Sequence, residues 1–181
     1  MTRMLKVAVL LCGIILFQSS VIVTEEVTLS STPATVCFTP GGPCTEDIVK
    51  VIDGAKKSVF MQAYSFTSEP IADALIAAHK RKVHVEALFD KSQETASYSR
   101  MLDIADAGIL TYVDRKHAIA HNKVMIIDKE TVITGSFNFT YAAENKNAEN
   151  VIIIKSTDMA KSYLANFREH RSHSVLFNGN R

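Results

Sequence analysis

The chain has 181 residues, 47% of them hydrophobic and 22% charged, which is ordinary globular composition. No repeat or low-complexity tract is present, so the composition excludes a solenoid array and allows one domain with a real core. The formal net charge is +1, so overall charge gives no evidence for a polyanionic partner, and any such attraction must be local.

Residues 1–24 predict a secretory signal peptide. Arg3 and Lys6 precede an apolar run at 7–17, which is the charge order and length of such a leader. The alternative is an uncleaved anchor, because the apolar residues at 21–23 extend the run. We therefore expect a periplasmic or secreted protein, with anchoring in the inner membrane as the alternative.

Residues 25–33 are polar and β-branched and predict a linker, which places the folded domain at 34–176 and a tail at 177–181. Cys37 and Cys44 flank a turn rich in Pro and Gly. In an exported protein this arrangement favours a disulfide, which would stabilise the fold by about 2.5 kcal/mol in the chain-entropy model. Two free thiols are the alternative if the domain faces the cytosol.

Strand and helix patterns alternate along the first part of the domain. Apolar alternation and β-branched runs predict strands at 34–38, 58–66, 83–89, 109–114, 121–127, 131–139 and 150–155. Helical periodicity and end signals predict helices at 45–55, with Thr45 as its cap, and at 68–82, 95–108 and 157–170. Alternation followed by a hairpin predicts the α/β class, with a mixed β-sheet flanked by helices on both faces.

The segment 121–138 predicts a β-hairpin that gathers polar side chains. With a two-residue turn at 129–130, His121 lies opposite Asn138 and Lys123 lies opposite Ser136. Directly paired residues share one face of a sheet, so these four side chains are expected to converge. A change of one residue in the length of the turn would break this pairing.

The expected patch carries an imidazole, an ammonium, a hydroxyl and an amide, which suit an anion with several oxygens such as a phosphate. Gly135 leaves room for a ligand or a backbone to come close. A Mg²⁺-dependent phosphoesterase would need clustered carboxylates, which the patch lacks. We therefore expect His121 to attack phosphorus, and the other three residues to hold the non-bridging oxygens: Lys123, Ser136 and Asn138.

Two acidic residues near the hairpin have different expected roles. Asp128 falls on the opposite parity from His121, which favours a turn residue that accepts backbone N–H bonds. Glu149 stands just before the strand at 150–155, where its carboxylate could hold the far nitrogen of the imidazole and fix the tautomer. An exposed loop acid is the alternative for Glu149.

The pattern of His121, Lys123 and Asp128, followed by Gly135-Ser136-x-Asn138, resembles the HKD motif of the phospholipase D superfamily. With one motif copy and a leader, the chain resembles the single-motif bacterial endonucleases of that superfamily, the periplasmic Nuc type. The similarity extends over about residues 34–172 and includes the stretches AYSFTS and GSFNFTYAAENKNAEN.

The resemblance implies an α/β phospholipase D-like sandwich and metal-independent phosphodiester hydrolysis without a cofactor. It implies a phosphohistidine intermediate on His121 and identifies Glu149 as the acid paired with that nucleophile. It counts Asp128 among the catalytic motif residues, although we expect a structural role for it. It also implies phosphate contacts from three residues: Lys123, Ser136 and Asn138.

One motif copy predicts a homodimer, because a histidine bonded to phosphorus cannot protonate the leaving oxygen. A two-fold axis would bring a second His121 to the far side of the phosphate. The alternative is a second histidine of the same chain, either His117 in a probable loop or His84 on a strand. The remaining histidines are interpreted as surface residues: His79, His170 and His173.

Three functions compete at this stage. The first is a nonspecific endonuclease that cuts DNA, and RNA as a second substrate, through backbone phosphates, since no sequence-reading module is recognisable. The second is a phospholipase D-type hydrolase of phosphatidyl lipids or cardiolipin at a membrane. The third is a non-catalytic phosphate-binding module. The basic clusters at 79–82 and 114–123 are the candidate local attractions, although a solvated helix end is the better interpretation of the first.

Overall fold

The computed structural model describes residue 29 and residues 32–179, so the predicted leader at 1–24 lies outside the described residues. Eight strands occur in this part of the chain: β1 Ala34–Thr39, β2 Ser58–Ala63, β3 His84–Asp90, β4 Leu110–Asp114, β5 Lys123–Ile127, β6 Thr131–Gly135, β7 Glu149–Lys155 and β8 Val175–Leu176. Five α-helices accompany them: α1 Cys44–Gly54, α2 Glu69–Lys80, α3 Met101–Asp106, α4 Tyr141–Asn145 and α5 Thr157–His173. None of the helices in the described residues has the length and hydrophobicity needed to cross a bilayer.

The strands form a mixed sheet in the order β1-β7-β6-β5-β2-β3-β4-β8. β2, β3 and β4 run parallel, and α2 and α3 lie in the crossovers between them. The other pairings are antiparallel, including the β5–β6 hairpin that joins β2 on one side and β7 on the other. The predicted mixed sheet is confirmed.

Both faces of the sheet are covered by helices. On one face, Val59, Met61 and Ala63 of β2 belong to a core that they share with α1 to α4. On the other face, Phe60 packs against Phe167 of α5, with ring centroids 5.3 Å apart. Burying a side chain such as that of Phe167 contributes roughly 1.5–3 kcal/mol. The predicted α/β class with helices on both faces is therefore confirmed.

The disulfide predicted between Cys37 and Cys44 is present and joins β1 to the start of α1, with Cα atoms 5.6 Å apart. The expected helix cap is wrong, because α1 begins at Cys44 and Thr45 lies inside its first turn. Thr45 instead donates from its backbone N–H and its hydroxyl to Oε2 of Glu144, at 2.9 and 2.8 Å. These bonds tie α1 to α4.

The helix predicted at 95–108 is shorter than expected. A 3-10 turn at Lys91–Glu94 comes first, and α3 covers only Met101–Asp106. The residues between them are mostly Thr, Ser and Tyr, which are weak helix formers. Ser99 accepts the backbone N–H of Met101 at 3.3 Å. Gly108, with φ of 89°, follows the helix as predicted.

The turn of the β5–β6 hairpin has three residues, not the expected two. Ile127 pairs with Thr131, which leaves 128–130 as the loop. Asp128 and Lys129 both have positive φ, 54° and 60°. Asp128 is held there because its backbone N–H donates to the Ser58 carbonyl at 2.8 Å and its carboxylate binds the loop before β2. The expected register is therefore wrong by one residue.

The corrected register places Lys123 opposite Gly135 instead of Ser136. The predicted strand at 121–127 also begins later, at Lys123, so His121 precedes β5. β6 ends at Gly135, and the backbone N–H of Ser136 then donates to the Asn150 carbonyl at 3.2 Å. This contact continues the β6–β7 pairing by one residue beyond Gly135.

Candidate active site

His121 and Lys123 lie side by side at the start of β5. The Lys123 Nζ atom is 2.9 Å from His121 Nδ1 and 2.6 Å from the His121 carbonyl oxygen. It also lies over the ring of Tyr64, 5.1 Å from the centroid. Lys123 is only 6% exposed, and these partners compensate its buried charge. His121 is exposed, so its imidazole can meet a ligand.

An open cavity lies beside this pair. Its lining comes from the start of β5, the end of β6 and one side chain of α5: His121, Asn122, Lys123, Val124, Thr134, Gly135, Ser136 and Tyr163. Imidazole, ammonium and hydroxyl groups thus meet in one place, and no carboxylate is among the lining residues. Three of the four side chains predicted to converge are in the lining, although the register predicted for them is wrong.

The Ser136 hydroxyl is oriented by Asn150. Its Oγ accepts the backbone N–H of Asn150 at 3.1 Å and the side-chain Nδ2 at 3.2 Å. Both contacts use Oγ as an acceptor, so the hydroxyl proton remains free to be donated. Ser136 therefore offers a donor to an anion in the cavity. Asn150 is a supporting residue that the sequence reasoning missed.

Gly135 makes this arrangement possible. Its φ is 151°, and a Cβ at this position would clash with the carbonyl oxygen of Asn150 and lie 3.0 Å from the carbonyl carbon. The close approach predicted at Gly135 is therefore real, and the group that approaches is the backbone of β7.

The structure places Asn138 and Glu149 outside the residues that line the cavity. Asn138 follows Phe137, and its Oδ1 is buried without a hydrogen-bond partner in the described part of the chain. Glu149 begins β7 and accepts a bond from Asn147 Nδ2 at 3.1 Å. No hydrogen bond joins Glu149 to His121 within the described residues. The phosphate contact of Asn138 and the orienting role of Glu149 stay predictions.

Glu149 nevertheless acts on the site through its charge. Burial lowers the pKa of Lys123 from its ordinary value, and the negative charge of Glu149 opposes that shift only in part. The buried ammonium is therefore easier to deprotonate than a surface lysine, and Glu149 helps to keep it charged.

Asp128 lies at the far end of β5 from Lys123, about 17 Å along the strand at 3.3–3.4 Å per residue. Its carboxylate accepts backbone N–H bonds of 2.7–2.9 Å from three consecutive residues, Lys56, Lys57 and Ser58. Burial raises the pKa of Asp128, but these hydrogen bonds and the charge of Lys57 outweigh it and hold the pKa below its usual range. The expected acceptance of backbone N–H bonds is confirmed, with the partners in another loop.

Sequence reasoning missed the aromatic neighbour of the imidazole. The ring of Tyr64 packs against that of His121, with centroids 4.4 Å apart. Its backbone N–H donates to the Asn122 carbonyl at 3.0 Å. The available signal was its place in the stretch AYSFTS, which predicted only a strand and a family likeness.

The other histidines take different positions. His84 contacts Glu86 at 2.7 Å, and neither His84 nor His117 lines the cavity beside His121. The surface interpretation of His170 and His173 is wrong, because their side chains are only 15% and 17% exposed. Both turn inward to the carboxylate of Asp114, and His117 joins them there.

Comparison with protein families gives a match over residues 48–171 to the family described as "Cardiolipin synthase, PLD-like domain". A relative from Rickettsia typhi named "Phospholipase D" is 46% identical over 150 residues, which cover 82% of this chain and 74% of the relative. The "Mitochondrial cardiolipin hydrolase" of Xenopus laevis is 32% identical over 114 residues, 63% of this chain and 54% of that protein.

Solved structures agree with these relatives. Nuc from Salmonella typhimurium, described as a phospholipase D family member, superposes with a TM-score of 0.78 at 39% identity, covering 81% of this chain and 98% of Nuc. NucT from Helicobacter pylori gives a TM-score of 0.70 at 20% identity, with 80% of this chain and all of NucT covered, which supports the fold alone. The chain belongs to the phospholipase D superfamily and is a phosphodiesterase.

Proposed function

We propose that the chain is a nonspecific endonuclease that hydrolyses DNA, with RNA as a second substrate, through a phosphohistidine on His121. The observation that carries this proposal is the exposed imidazole beside a buried ammonium and an oriented hydroxyl, in an open cavity. Such a cavity suits the phosphates of a nucleic acid backbone, which are read without regard to sequence. The likeness over 98% of Nuc, together with the resemblance to the single-motif endonucleases, supports the proposal.

Attack requires a lone pair on the nitrogen of His121 that faces phosphorus. In this structure the Lys123 ammonium donates to Nδ1, so a neutral ring carries its proton on Nε2. An incoming phosphate competes for Lys123 and draws the ammonium away from Nδ1. The neutral ring then carries its proton on Nδ1, where the N–H donates a hydrogen bond to the Glu149 carboxylate, and the lone pair of Nε2 becomes the nucleophile.

The reaction proceeds in two displacements. Nε2 of His121 forms a bond to phosphorus, and the bond from phosphorus to the leaving oxygen breaks. That oxygen takes a proton from the His121 of a second copy of this chain, related by a two-fold axis. The second imidazole, now neutral, deprotonates a water that attacks phosphorus and releases His121. Lys123 and Ser136 stabilise the charge that builds on the non-bridging oxygens.

The test is cleavage of plasmid DNA, RNA and phosphatidyl lipid vesicles by the purified chain, with and without excess EDTA. We expect DNA cleavage that survives the chelator, because neither attack nor protonation uses a metal. His121→Ala should lower the rate at least about 10³-fold, as loss of a nucleophile does elsewhere. His79→Ala, which changes a histidine of α2 outside the cavity, is the matched control. Equal cleavage by the His121→Ala variant would end the proposal.

A phospholipase D-type hydrolase is the second candidate, favoured by the names of the Rickettsia and Xenopus relatives. Ile119, two residues before His121, is 56% exposed and would touch a membrane surface that presents a lipid headgroup to the cavity. Release of headgroups from the vesicles, without cleavage of DNA, would favour this candidate. Ile119→Ser should weaken lipid hydrolysis and leave DNA cleavage unchanged.

A further inference from the structure

Three imidazoles surround one buried carboxylate at the end of β4, the strand that lies between β3 and the short edge strand β8. Asp114 ends β4, and its side chain is 0% exposed. Its Oδ2 atom is 2.8 Å from His117 Nδ1, 3.1 Å from His170 Nδ1 and 3.3 Å from His173 Nε2. One ligand atom from each of the four residues lies within 4.8 Å of every other.

Hydrogen bonding alone accounts poorly for this convergence. A carboxylate oxygen has two lone pairs, yet three ring nitrogens converge on Oδ2. The other oxygen, Oδ1, is already used by the backbone N–H groups of Lys116 and His117, at 2.9 and 3.2 Å. The three rings are also crowded, with centroids 4.7 to 5.5 Å apart.

A cation at the centre of the four atoms accounts for the same geometry. Zinc bonds to His nitrogen and carboxylate oxygen at about 2.0–2.2 Å, which makes the edge of a tetrahedral site roughly 3.4 Å. The three contacts of Asp114 Oδ2, at 2.8, 3.1 and 3.3 Å, are close to that edge. Small movements of the rings would complete the tetrahedron.

We propose that Asp114, His117, His170 and His173 form a structural metal site for Zn²⁺. Three imidazoles and one carboxylate suit a first-row transition metal, whereas Mg²⁺ and Ca²⁺ take oxygen ligands. Four protein ligands fill a tetrahedral site and leave no open position for a catalytic water. The ion stabilises the fold, and the hydrolysis at His121 takes place without it.

Local structure prepares each ligand. His170 and His173 are three residues apart in the last turn of α5, so they lie on the same side of the helix. Arg171 between them is directed away, towards Glu86 Oε2 at 2.7 Å and the Tyr112 hydroxyl at 2.8 Å. The side chain of His117 is 42% exposed, so the site is accessible to an ion from solvent.

The position of the site suggests what the ion does. His117 belongs to the loop at 115–122 that leads from β4 to the active-site pair, and α5 supplies Tyr163 to the cavity beside His121. Metal ligands from this loop and from α5 join two parts of the chain that both border the cavity. Loss of the ion should therefore loosen the loop and lower the melting temperature of the domain.

The test uses the full-length chain without a polyhistidine tag. We expect about one zinc per chain by elemental analysis after exposure to Zn²⁺ and gel filtration, and a melting temperature raised by roughly 5 °C or more over chelated protein. Co²⁺ should give the intense visible absorption of a tetrahedral site. Less than a tenth of an equivalent on the folded wild-type chain, together with an unchanged melting temperature, would overturn the proposal.

Single substitutions test which residues bind the ion. His117→Ala and His173→Ala should each weaken Zn²⁺ binding at least about 100-fold in competition with a chelator, as losses at metal sites do. His79→Ala, whose histidine lies outside the cluster, should bind as the wild type does. Equal weakening by His79→Ala, or none by either ligand variant, would contradict the assignment. His117 lies in a loop. If His173→Ala impairs the folding of α5, the His117→Ala variant still tests the assignment.

The same samples separate this proposal from the nuclease proposal. Metal content and melting temperature decide the metal site without reference to activity. DNA cleavage by chelated protein, well below its melting temperature, decides whether hydrolysis is independent of metal. Either proposal can fail while the other stands.

Discussion

Lys123 carries its charge in a buried position, which determines how pH acts on the site. Burial lowers its pKa, and Glu149 partly restores it. A cationic Lys123 is the form that binds phosphate, so activity should fall as pH rises through the pKa of Lys123. The carboxylate of Glu149 therefore extends the working range of the site towards alkaline pH.

We predict that Glu149→Gln moves the alkaline limb of the pH profile of kcat/KM to lower pH. The sign follows because the negative charge of Glu149 raises the pKa of Lys123 against the effect of burial, so removing that charge lets the pKa fall further. Glu46→Gln, an exposed position on α1, should leave the limb in place. A limb unmoved by Glu149→Gln, or moved to higher pH, would contradict the role of this charge.

Ser136 is expected to contribute one hydrogen bond to the transition state. Ser136→Ala should lower kcat by about 10²-fold, which is the cost of removing one donor to developing charge. The exposed Ser97, in the loop before α3, provides the control Ser97→Ala. Rates measured on labelled oligonucleotides would show the difference. A rise in KM with kcat unchanged would mean that the hydroxyl binds substrate and transition state equally.

At the scale of elements, the β5–β6 hairpin is held at both ends by contacts with other parts of the chain. At the turn, Asp128 binds the loop before β2, and at the open end Gly135 lets β7 approach. The motif residues of the hairpin are therefore of two kinds. Some touch the cavity, and others hold the strands that position it.

Asp128→Ala should affect stability more than catalysis. It leaves three backbone N–H groups without their acceptor, which costs about 1–3 kcal/mol in the free energy of unfolding. The depressed pKa means that this stabilisation is present above the carboxyl pKa of the unfolded chain and is lost as pH falls through the folded value. Urea unfolding across acid pH would show a weaker pH dependence in the variant. A large loss of kcat in the folded variant would instead make Asp128 catalytic.

Gly135→Ala should distort the site through the backbone. The new Cβ would clash with the Asn150 carbonyl, and the positive φ adds strain, so we expect a loss of about 1–3 kcal/mol and reduced cleavage. Gly54→Ala at the end of α1 is the matched control, because nothing lies within 4 Å of its added Cβ. A Gly135→Ala variant as stable and active as the control would show that the backbone of β7 can move away from residue 135 without loss of stability or activity.

Sequence patterns predicted the strands well, because alternation reports which face of a strand is buried. They failed at the hairpin turn, because the length of that turn depends on Asp128 binding a loop some 70 residues earlier in the chain. They also missed the role of Asn150, whose contact with Ser136 requires the β6–β7 pairing to be known. Local periodicity contains neither piece of information.

At the scale of the whole molecule, the histidine cluster is a second feature that local sequence patterns do not predict. Asp114 and His117 lie more than fifty residues before His170 and His173, and the sequence signals for each pair are weak when taken alone. The packing of α5 near β4 brings them together. The family resemblance did not help here, because none of its motif residues is among these four.

The homodimer is the whole-molecule prediction of this account. Differently tagged wild-type and His121→Ala chains, co-expressed and purified through both tags, should yield mixed dimers with far less than half of wild-type activity. One imidazole would then be available to attack, but none to protonate the leaving oxygen. Mixed dimers as active as the wild type, or a chain that is active as a monomer in sedimentation, would show that one His121 suffices.

The central claim is that His121 itself becomes covalently bonded to phosphorus, and one measurement tests it most directly. Rapid acid-free quenching of the chain with a short DNA substrate, followed by peptide mass spectrometry, should find a nucleotide phosphate attached to the peptide that contains residue 121. The His121→Ala variant should give no adduct. Full turnover without any adduct, or an adduct on a different side chain, would contradict the account.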